Sequence, residues 1–396
     1  MSVLERRADE IGEFLAAHGG PFFELQRRLG ALEEDALHAG RRALIFIALA
    51  WGVPLVLSVL QGHAFGPPDT GPYLLDFSAL ARFFIATGLF LLAEQQVESG
   101  LRGKLAGFVR APILAPESFA PAARAVVRSL KLRDSVAAEI VCLALAVGMA
   151  INWMFHLFAA DESGWAAQVS DAGAHVTLPG WWSVAVSVPL FNFLLFRGLW
   201  RYLVWAMLLW RIASLKMRLV ATHPDGKGGL GFIADYPNAY STFVLGLSAS
   251  MAMIVVRHVF DRNISSVTFG YILAGWLAIV FALFAFPLLA FSRPLAELKD
   301  KSVEAYGAAA TRFHRAGERS VLGRNVVAND AAENADGAGA DPSPQFLAAR
   351  KLSVLLMNRS AIAPLAVCAL APFAIAGATR LPYKEVFALV KKLLIL

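Results

Sequence analysis

Charged residues are scarce in this sequence. Lys and Arg number 36 and Asp and Glu number 30 among 396 residues. The charged share is 17%, against about 25% in soluble proteins of average composition. Apolar residues make up 57% and are concentrated in long blocks. This composition argues against a soluble domain and predicts a helical membrane protein.

Cysteine is nearly absent, since only Cys142 and Cys368 occur, both within apolar stretches. Thiols in such surroundings behave as small apolar residues, so neither a disulfide framework nor a cysteine-based metal site is predicted. No nucleic-acid-binding motif is found, and the net charge of +6 fits basic cytosolic loops of a membrane protein. We expect no cofactor, no bound metal and no nucleic-acid partner.

A secretory signal is also missing from the first 40 residues, which are charged and interrupted by Gly and Pro. The first apolar block begins near Ala43, and we expect it to be a membrane anchor that is retained.

Six apolar stretches predict membrane-spanning helices, because an apolar run of about 18 residues or more can cross the hydrocarbon core. They are 43–60, 77–93, 135–158, 181–210, 242–256 and 267–291. The predicted fold is therefore all-α, a polytopic transmembrane helix bundle with six spans.

A last apolar stretch, 361–378, contains Pro364 and Pro372. If it crossed the membrane fully, the basic residues after it would lie outside, against the usual charge distribution. A re-entrant segment and a seventh span both remain open. The tail 383–396 alternates charged and apolar residues at helical spacing, which is typical of an interfacial helix.

The loops differ in charge. Loops 61–76 and 159–180 contain no Lys or Arg, whereas the segment before the first span contains six Arg and the segment between the second and third spans contains seven Lys or Arg. Because cytosolic loops of membrane proteins carry the excess of Lys and Arg, this asymmetry predicts a cytosolic N-terminus.

The predicted organisation has four parts. They are a cytosolic amphipathic segment 1–42, a transmembrane domain 43–292 with cytosolic loops 94–133 and 211–240, a cytosolic helical segment 293–360 with a flexible linker 328–345, and a membrane-associated segment 361–396.

Two local strings resemble a known group of proteins. Residues 222–232 read Thr-His-Pro-Asp-Gly-Lys-Gly-Gly-Leu-Gly-Phe, and residues 21–26 read Pro-Phe-Phe-Glu-Leu-Gln. Both, with the run up to Arg41-Arg42, resemble a group of uncharacterised bacterial multi-pass membrane proteins, and the likeness covers most of the chain. The resemblance implies a location in the bacterial inner membrane, and it implies no activity.

Four arginines lie in the fourth predicted span or shortly after it. Arg197, Arg201, Arg211 and Arg218 fall within an arc of about 100° if the helix continues through all of them. Such a basic face could attract an anion into a pathway or bind a lipid phosphate. The alternative is that these side chains extend to the headgroups of the inner leaflet.

Charges inside spans are a sharper signal, because they are costly in hydrocarbon. Arg82 lies in the second span, Glu139 in the third, and Glu94 at the cytosolic end of the second. Arg197 has a depth similar to both glutamates, so a pair with Glu139 or Glu94 is predicted. The functional interpretation is a gate or coupling site, and the structural one is a buried ion pair that orders the bundle.

Asn152 and His156 lie four residues apart on one face of the third span, and Asn192 of the fourth span is predicted to meet them. Histidine titrates in the physiological range, so these residues are candidates for a solute or ion pathway. The alternative is a hydrogen-bonded packing role.

The loop 222–232 is the most distinctive local string. Its glycines, among them Gly228 and Gly229, allow positive φ, so that successive N–H groups could form an anion nest, to which Lys227 would add charge. His223 and Asp225 could instead contribute to a metal site, although no third ligand is near. The structural alternative is a tight turn in which Asp225 caps the following helix.

Three functions are compatible with these features. The first is a channel or transporter for an anion or small charged solute, with membrane lipids and other copies of the chain as partners in a homo-oligomer. The second is a membrane-embedded enzyme acting on a lipid or lipid-linked substrate at the cytosolic face through His223 and Asp225. The third is a membrane scaffold or sensor. No catalytic residue is assigned, because no nucleophile–base pair is found, and transport is favoured over catalysis.

Overall fold

The computed structural model describes residues 16–28, 30, 37–67, 71–160, 163–171, 173–260, 265–328, 340–357, 359–379 and 382–395. Twelve helices within this part of the chain are named here. They are α1 (Pro21–Arg28), α2 (Ala39–Leu60), α3 (Phe77–Arg110), α4 (Phe119–Arg133), α5 (Val136–Phe158), α6 (Leu178–Ala213), α7 (Ser241–Phe260), α8 (Ser266–Ala285), α9 (Ser292–Leu322), α10 (Ser343–Lys351), α11 (Arg359–Ala378) and α12 (Tyr383–Ile395).

The prediction of an all-α membrane bundle is confirmed. Among the described residues, six helical stretches are long and apolar enough to cross a membrane. They are Ala39–Leu60, Phe77–Arg110, Val136–Phe158, Leu178–Ala213, Gly231–Val255 and Ser266–Leu322. The chain therefore has the architecture of a multi-pass membrane protein.

The two ends of the bundle differ in what covers them. The end carrying residues 16–28, α4 and the loop 214–230 is called the N-terminal face. Phe22 meets the first turn of α5 there, and the chain between α3 and α4 pairs with the segment that follows α6. The other end carries the loops 61–76 and 159–177 and is called the hairpin face. The basic segments lie at the N-terminal face and the loops without Lys or Arg at the hairpin face.

Helix α3 runs well beyond its predicted apolar stretch. The second predicted span stops near residue 93, but α3 continues to Arg110, because Leu101, Leu105 and Phe108 repeat at helical spacing and are fully buried. The chain then turns before Pro112. Residues 94–133 thus consist mainly of helix, namely the second half of α3 and α4.

The prediction that four arginines share one face of a continued helix is wrong for Arg218. Helix α6 ends at Ala213, so Arg218 lies outside it. The backbone N–H of Arg218 donates to the carbonyl of Ile113, and Met217 forms an isolated β-bridge with Leu114. This segment is extended, because it pairs with the chain that links α3 to α4, and the helical periodicity is lost.

A two-stranded hairpin closes the hairpin face, and the sequence had not predicted it. Strand β1 (Ala167–Ser170) pairs antiparallel with β2 (Gly173–Val176). Trp165 donates its Nε1–H to Asp76 Oδ2 at 2.8 Å, and Thr177 caps the start of α6 by accepting from the N–H of Gly180. The hairpin is thereby fixed between α3 and α6.

Three of the spans contain a stretch of π-helix in the half of the bundle near the hairpin face. These stretches are Ala48–Gly52 in α2, Leu80–Ala86 in α3 and Ser183–Ser187 in α6, and the first contacts the other two. A π-turn widens the helix locally and is frequent at functional sites.

A proline break at the end of α8 is compensated by two tyrosines. The chain continues from α8 as a 3₁₀-helix, Phe286–Phe291, and Pro287 has no N–H to donate to the carbonyl of Leu283. Tyr202 donates its hydroxyl to that carbonyl, and Tyr236 donates to the carbonyl of Phe284. This network joins α6, α8 and the segment before α7.

The last apolar stretch forms one continuous helix, α11, rather than a re-entrant loop. It packs along α7 and α8, and the ring of Phe373 lies against that of Trp276. Near its end, Gly377 packs against Phe269, which lies one turn from the start of α8 at the hairpin face. The apolar part of α11, Ile362–Ala378, is shorter than the six spanning stretches, so a seventh span stays a prediction.

The C-terminal helix α12 turns back from that face. It packs on α11 and on the start of α8, where Ser266 donates to Glu385 and Leu389 lies over Gly270. The predicted linker 328–345 lies mostly outside the described residues, although α10 begins within it. Helix α10 packs on α9, and Ser353, just after it, donates its N–H to the carbonyl of Gly226.

Candidate functional site

Four membrane helices bring five charged side chains together near the N-terminal face. We call Arg42 of α2, Glu94 of α3, Glu139 of α5, and Arg197 and Arg201 of α6 the arginine cluster. Arg42 Nη1 lies 2.6 Å from Glu94 Oε2, and Arg201 Nη1 lies 3.5 Å from Glu94 Oε1. Arg197 contacts Glu94 through Nη1 and Glu139 through Nε, the latter at 3.2 Å.

The arginine cluster is buried. Arg42 is 1% and Arg197 is 3% exposed. Three guanidinium groups face two carboxylates within the cluster, and a third buried carboxylate, that of Glu98, lies one turn from Glu94 on α3. The Nη2 atom of Arg197 is buried and has no hydrogen-bond partner among the described residues. A buried guanidinium group in a medium of low dielectric attracts an ion of opposite sign.

Residues 16–28, called the N-terminal segment, cover the cluster. Its backbone N–H groups bind carboxylates, and its backbone carbonyls bind a guanidinium group. The N–H groups of Ala17 and Phe22 donate to the carboxylates of Glu98 and Glu139, and the carbonyls of Ala17 and Gly19 accept from Arg201. The segment thereby closes the N-terminal face over a polar interior.

Side chains of the N-terminal segment add contacts to the same cluster. Gln26 accepts from Arg42 Nε at 2.6 Å, and His18 Nδ1 lies 3.1 Å from Glu98 Oε1. The guanidinium carbon of Arg197 lies 5.1 Å from the ring centre of Phe22, close enough for a cation–π interaction. Each contact holds the segment against α2, α3 or α6.

Two consecutive glycines allow this close approach. Gly19 has φ +84° and Gly20 has φ +88°, a left-handed conformation that residues with a Cβ rarely adopt. A Cβ on Gly20 would lie 2.6 Å from Glu139 Oε1, and one on Gly19 would overlap the carboxylate of Asp134. Side chains at these positions are therefore strained by the positive φ and displace the carboxylate that the segment packs against, so they should weaken its docking.

The predicted charge pairs are confirmed, because Arg197 contacts both Glu139 and Glu94. Arg201 joins them. Sequence reasoning missed Arg42, which reads as one more basic residue before the first span. It also missed the N-terminal segment, which binds largely through its backbone and leaves only the Gly-Gly pair as a signal in the sequence.

The comparisons with known proteins give no match. No family model matches the chain, and neither do any curated protein or any solved structure. The chemistry of the site therefore has to follow from its own residues.

The remaining predicted pathway residues lie apart from the arginine cluster. Arg82 donates through Nε to the carbonyl of Ser78 on its own helix. Asn192 is buried and donates to the carbonyl of Val188, one turn earlier in α6. Asn152 and His156 share a face of α5 as predicted, but that face is exposed. The structure shows no contact between them and Asn192 among the described residues.

The backbone N–H groups of the Gly-rich loop 222–232 bind a carboxylate that belongs to the loop itself. The carboxylate of Asp225 accepts hydrogen bonds from the N–H groups of Lys227, Gly229 and Gly231, and His223 Nδ1 lies 2.8 Å from Asp225 Oδ1. The predicted nest for an external anion is therefore occupied by Asp225. Gly231 opens the next 3₁₀-helix, Gly231–Ile233, so the capping alternative agrees with the structure.

Other predicted headgroup ligands are spread around this loop. Arg218 is exposed, and Arg211 lies half-buried in the last turn of α6. Gly228 packs against Leu295 and Leu298 of α9. Burial lowers the pKa of Lys227, while Asp225 and Asp235 act to raise it. Within the described part of the chain, no group of three His, Cys, Asp or Glu residues is placed to hold a metal ion.

The stability contributed by Asp225 is expected to depend on pH. Burial acts to raise the pKa of Asp225, but the three backbone N–H groups and His223 outweigh it and hold the pKa below its usual value. A carboxylate with a lowered pKa stabilises the fold above its unfolded pKa of about 3.9, and this contribution is lost as pH falls through the folded pKa.

Asp225→Asn should therefore lower the free energy of unfolding at neutral pH by about 1–2 kcal/mol, because it removes the charged acceptor of three backbone N–H groups. The loss stays small because the carboxylate is partly exposed to solvent. Thermal unfolding in detergent, repeated at about pH 3, should show a smaller difference from the unsubstituted chain. Asp300→Asn, on the exposed side of α9, is the control. An equal loss at both pH values would contradict a role for the carboxylate charge.

Proposed function

We propose that this chain is an anion-selective channel or transporter of the bacterial inner membrane, with its N-terminus in the cytosol. The observation that carries the proposal is the arginine cluster, which places three buried arginines among four membrane helices. Charged residues within spans are costly and typically mark substrate or ion pathways. Rings of Arg select anions in membrane pores.

The docked N-terminal segment corresponds to a closed state in this proposal. Both carboxylates of the arginine cluster are paired, and the segment covers the cluster from the N-terminal face. Conduction would require the segment to move away, and the Arg–Glu pairs would then exchange partners with a passing anion. The orientation of the N-terminal face toward the cytosol follows from its basic segments. Assembly into a homo-oligomer remains a prediction.

The enzymatic alternative is less favoured. It depends on His223 and Asp225, but the Asp225 carboxylate is already engaged by three backbone N–H groups. A carboxylate held in this way is a poor general base, because its proton affinity is reduced. The loop also joins the membrane bundle to α9 and α10, a role that accounts for its close packing.

Anion flux through liposomes tests the proposal. The purified full-length chain should release chloride from liposomes under an applied potassium-diffusion voltage, faster than protein-free liposomes do. Arg197→Gln removes one positive charge from the arginine cluster and should slow release by about tenfold, equivalent to about 1.4 kcal/mol of lost anion stabilisation. Arg218→Gln, which removes an exposed arginine, should leave the rate unchanged.

Two results would overturn the proposal. One is the absence of chloride release under every voltage and gradient applied. The other is release of potassium and chloride at equal rates, because an arginine-lined pathway should exclude cations.

A further inference from the structure

Arg201 binds the N-terminal segment in an unusual way for a buried arginine. Its Nη1 donates to the carbonyl of Ala17 at 2.6 Å, and its Nη2 donates to the carbonyl of Gly19 at 3.1 Å. Two oxygens thus sit side by side on the two terminal nitrogens of one guanidinium. That is the geometry with which arginine binds the paired oxygens of a carboxylate or phosphate.

The charge of Arg201 is poorly compensated in this arrangement. Carbonyl groups are neutral dipoles, and the carboxylate nearest to Arg201 is that of Glu94, at 3.5 Å. Glu94 is also shared with Arg42 and Arg197. A buried guanidinium without a full counter-charge is costly, so an anion at this position would be strongly favoured over a carbonyl.

Arg197 supplies a second donor beside it. Arg197 and Arg201 both approach the same oxygen of Glu94, Oε1, so the two guanidinium groups are neighbours. Arg197 is 3% exposed, and its Nη2 has no hydrogen-bond partner among the described residues. A buried polar atom without a partner calls for an explanation, and an absent ion is one of the recognised ones.

We propose that Arg197 and Arg201 form a binding site for an oxyanion, a carboxylate or phosphate group, which the N-terminal segment fills with its own carbonyl oxygens. Anion binding and docking of the segment are then mutually exclusive. An anion on Arg201 displaces the carbonyls of Ala17 and Gly19, and the segment leaves the N-terminal face. This inference rests on the proposed function, because it names the class of anion and the gate that the anion controls.

The other groups that face the segment affect both states. Glu98 and Glu139 lose the N–H groups of Ala17 and Phe22 when the segment leaves, whereas Glu139 keeps its contact with Arg197. His18 leaves Glu98 at the same time. These losses oppose undocking, so the segment is expected to undock more often in the presence of an oxyanion, which can engage both terminal nitrogens of Arg201, than in chloride alone.

A single methyl group should separate docking from anion binding. Gly20→Ala places a Cβ 2.6 Å from Glu139 Oε1 at a backbone φ of +88°, yet it alters neither arginine. The segment should undock, and the purified protein in detergent should bind inorganic phosphate about tenfold more tightly than the unsubstituted chain, since no docked segment has to be displaced. The matched control is Gly30→Ala, which has φ +71° and open space around its Cβ, and its affinity should be unchanged.

Arg201→Lys in the Gly20→Ala background should abolish the gain, because lysine cannot present two parallel donors. Short-chain phosphatidic acid, titrated in parallel, distinguishes the source of the phosphate. Tighter binding of phosphatidic acid than of inorganic phosphate identifies a lipid headgroup, and the reverse identifies a soluble anion. An unchanged phosphate affinity in Gly20→Ala, or a gain that survives Arg201→Lys, would overturn the site.

A labelling experiment keeps the proposal testable if Gly20→Ala fails to fold. Ala17 is 2% exposed in the docked segment. With Cys142 and Cys368 replaced by Ser, Ala17→Cys should react with a maleimide faster in phosphate than in chloride of equal ionic strength. Equal rates would contradict competition between the anion and the segment.

The binding measurements and the flux assay test different claims, and either claim can be rejected without the other. Phosphate binding needs no transport, so a protein that binds phosphate as described but passes no ions retains the site and loses the proposed function. A protein that conducts chloride, but whose phosphate affinity does not depend on Gly20, retains the function and loses the site.

Discussion

Replacement of Glu94 by alanine is expected to lower the free energy of unfolding by about 3–5 kcal/mol, because it leaves buried arginines without their shared counter-charge. Arg42, Arg197 and Arg201 all approach this one carboxylate. Without Glu94, only Glu139 remains to face them within the arginine cluster. Unfolding in detergent, followed by circular dichroism during a denaturant titration, measures the loss.

A matched substitution gives the scale for an ordinary surface pair. Glu297 of α9 pairs with Arg293 at 3.0 Å, one turn away, and both side chains are exposed. Glu297→Ala should cost no more than about 0.5 kcal/mol. A loss of similar size for Glu94→Ala would show that water reaches the arginine cluster and screens it.

Neutralising Arg42 should offset part of the free energy of unfolding that is lost when Glu94 is neutralised. In a double-mutant cycle, Glu94→Gln with Arg42→Gln should be less destabilised than the sum of the two single variants, because both members of a buried pair are then neutral. Additive losses would mean that Arg42 and Glu94 do not interact as the 2.6 Å distance indicates.

Gly180→Ala is expected to destabilise the protein by about 2–3 kcal/mol through overpacking. Gly180 lies in the first turn of α6, where a Cβ would overlap the backbone carbonyl of Ala166 and lie 2.8 Å from Val176 Cγ1. The atom met first belongs to the backbone, so a change of rotamer cannot relieve the clash. The hairpin would have to move away from α6.

The control for this substitution is another helical glycine. Gly103 lies on the exposed side of α3 with nothing within 4 Å of its Cβ position, so Gly103→Ala should be neutral or stabilising by up to about 1 kcal/mol. Thermal unfolding of both variants gives the comparison. A midpoint for Gly180→Ala equal to that of the unsubstituted chain would mean that the hairpin is not seated on α6.

Apolar length predicted the number of membrane helices well and their ends less well. Hydropathy detects the part of a helix that lies in lipid, and α3 passes this limit by more than four turns without losing its helical hydrogen bonds. The buried positions Leu101, Leu105 and Phe108 carry the missing signal, at helical spacing within a polar stretch. The hairpin was missed because its two strands have only four residues each, too few for a periodic pattern.

The candidate site was predictable only as far as it consists of charged side chains in apolar surroundings. Glu139 and Arg197 stand out because a charge inside a span is costly and needs a partner. The N-terminal segment has no such signature, since Ala17, Gly19 and Phe22 act mainly through their backbones. The anion nest of the Gly-rich loop was predicted to bind an external anion. Sequence alone does not show that the carboxylate of Asp225 turns back and occupies the nest itself.

The three π-helical stretches have a consequence for the length of the chain. Each turn of π-helix holds about one residue more than a turn of α-helix, and each residue advances an α-helix by about 100°. The extra residue in Leu80–Ala86 thus sets the rotational phase between the two halves of α3. One half presents Asp76 to the hairpin, and the other presents Glu94 to the arginine cluster. Deletion of a single residue there would produce a more regular helix with its two halves out of phase, so this helix tolerates a change of residue type better than a change of residue number.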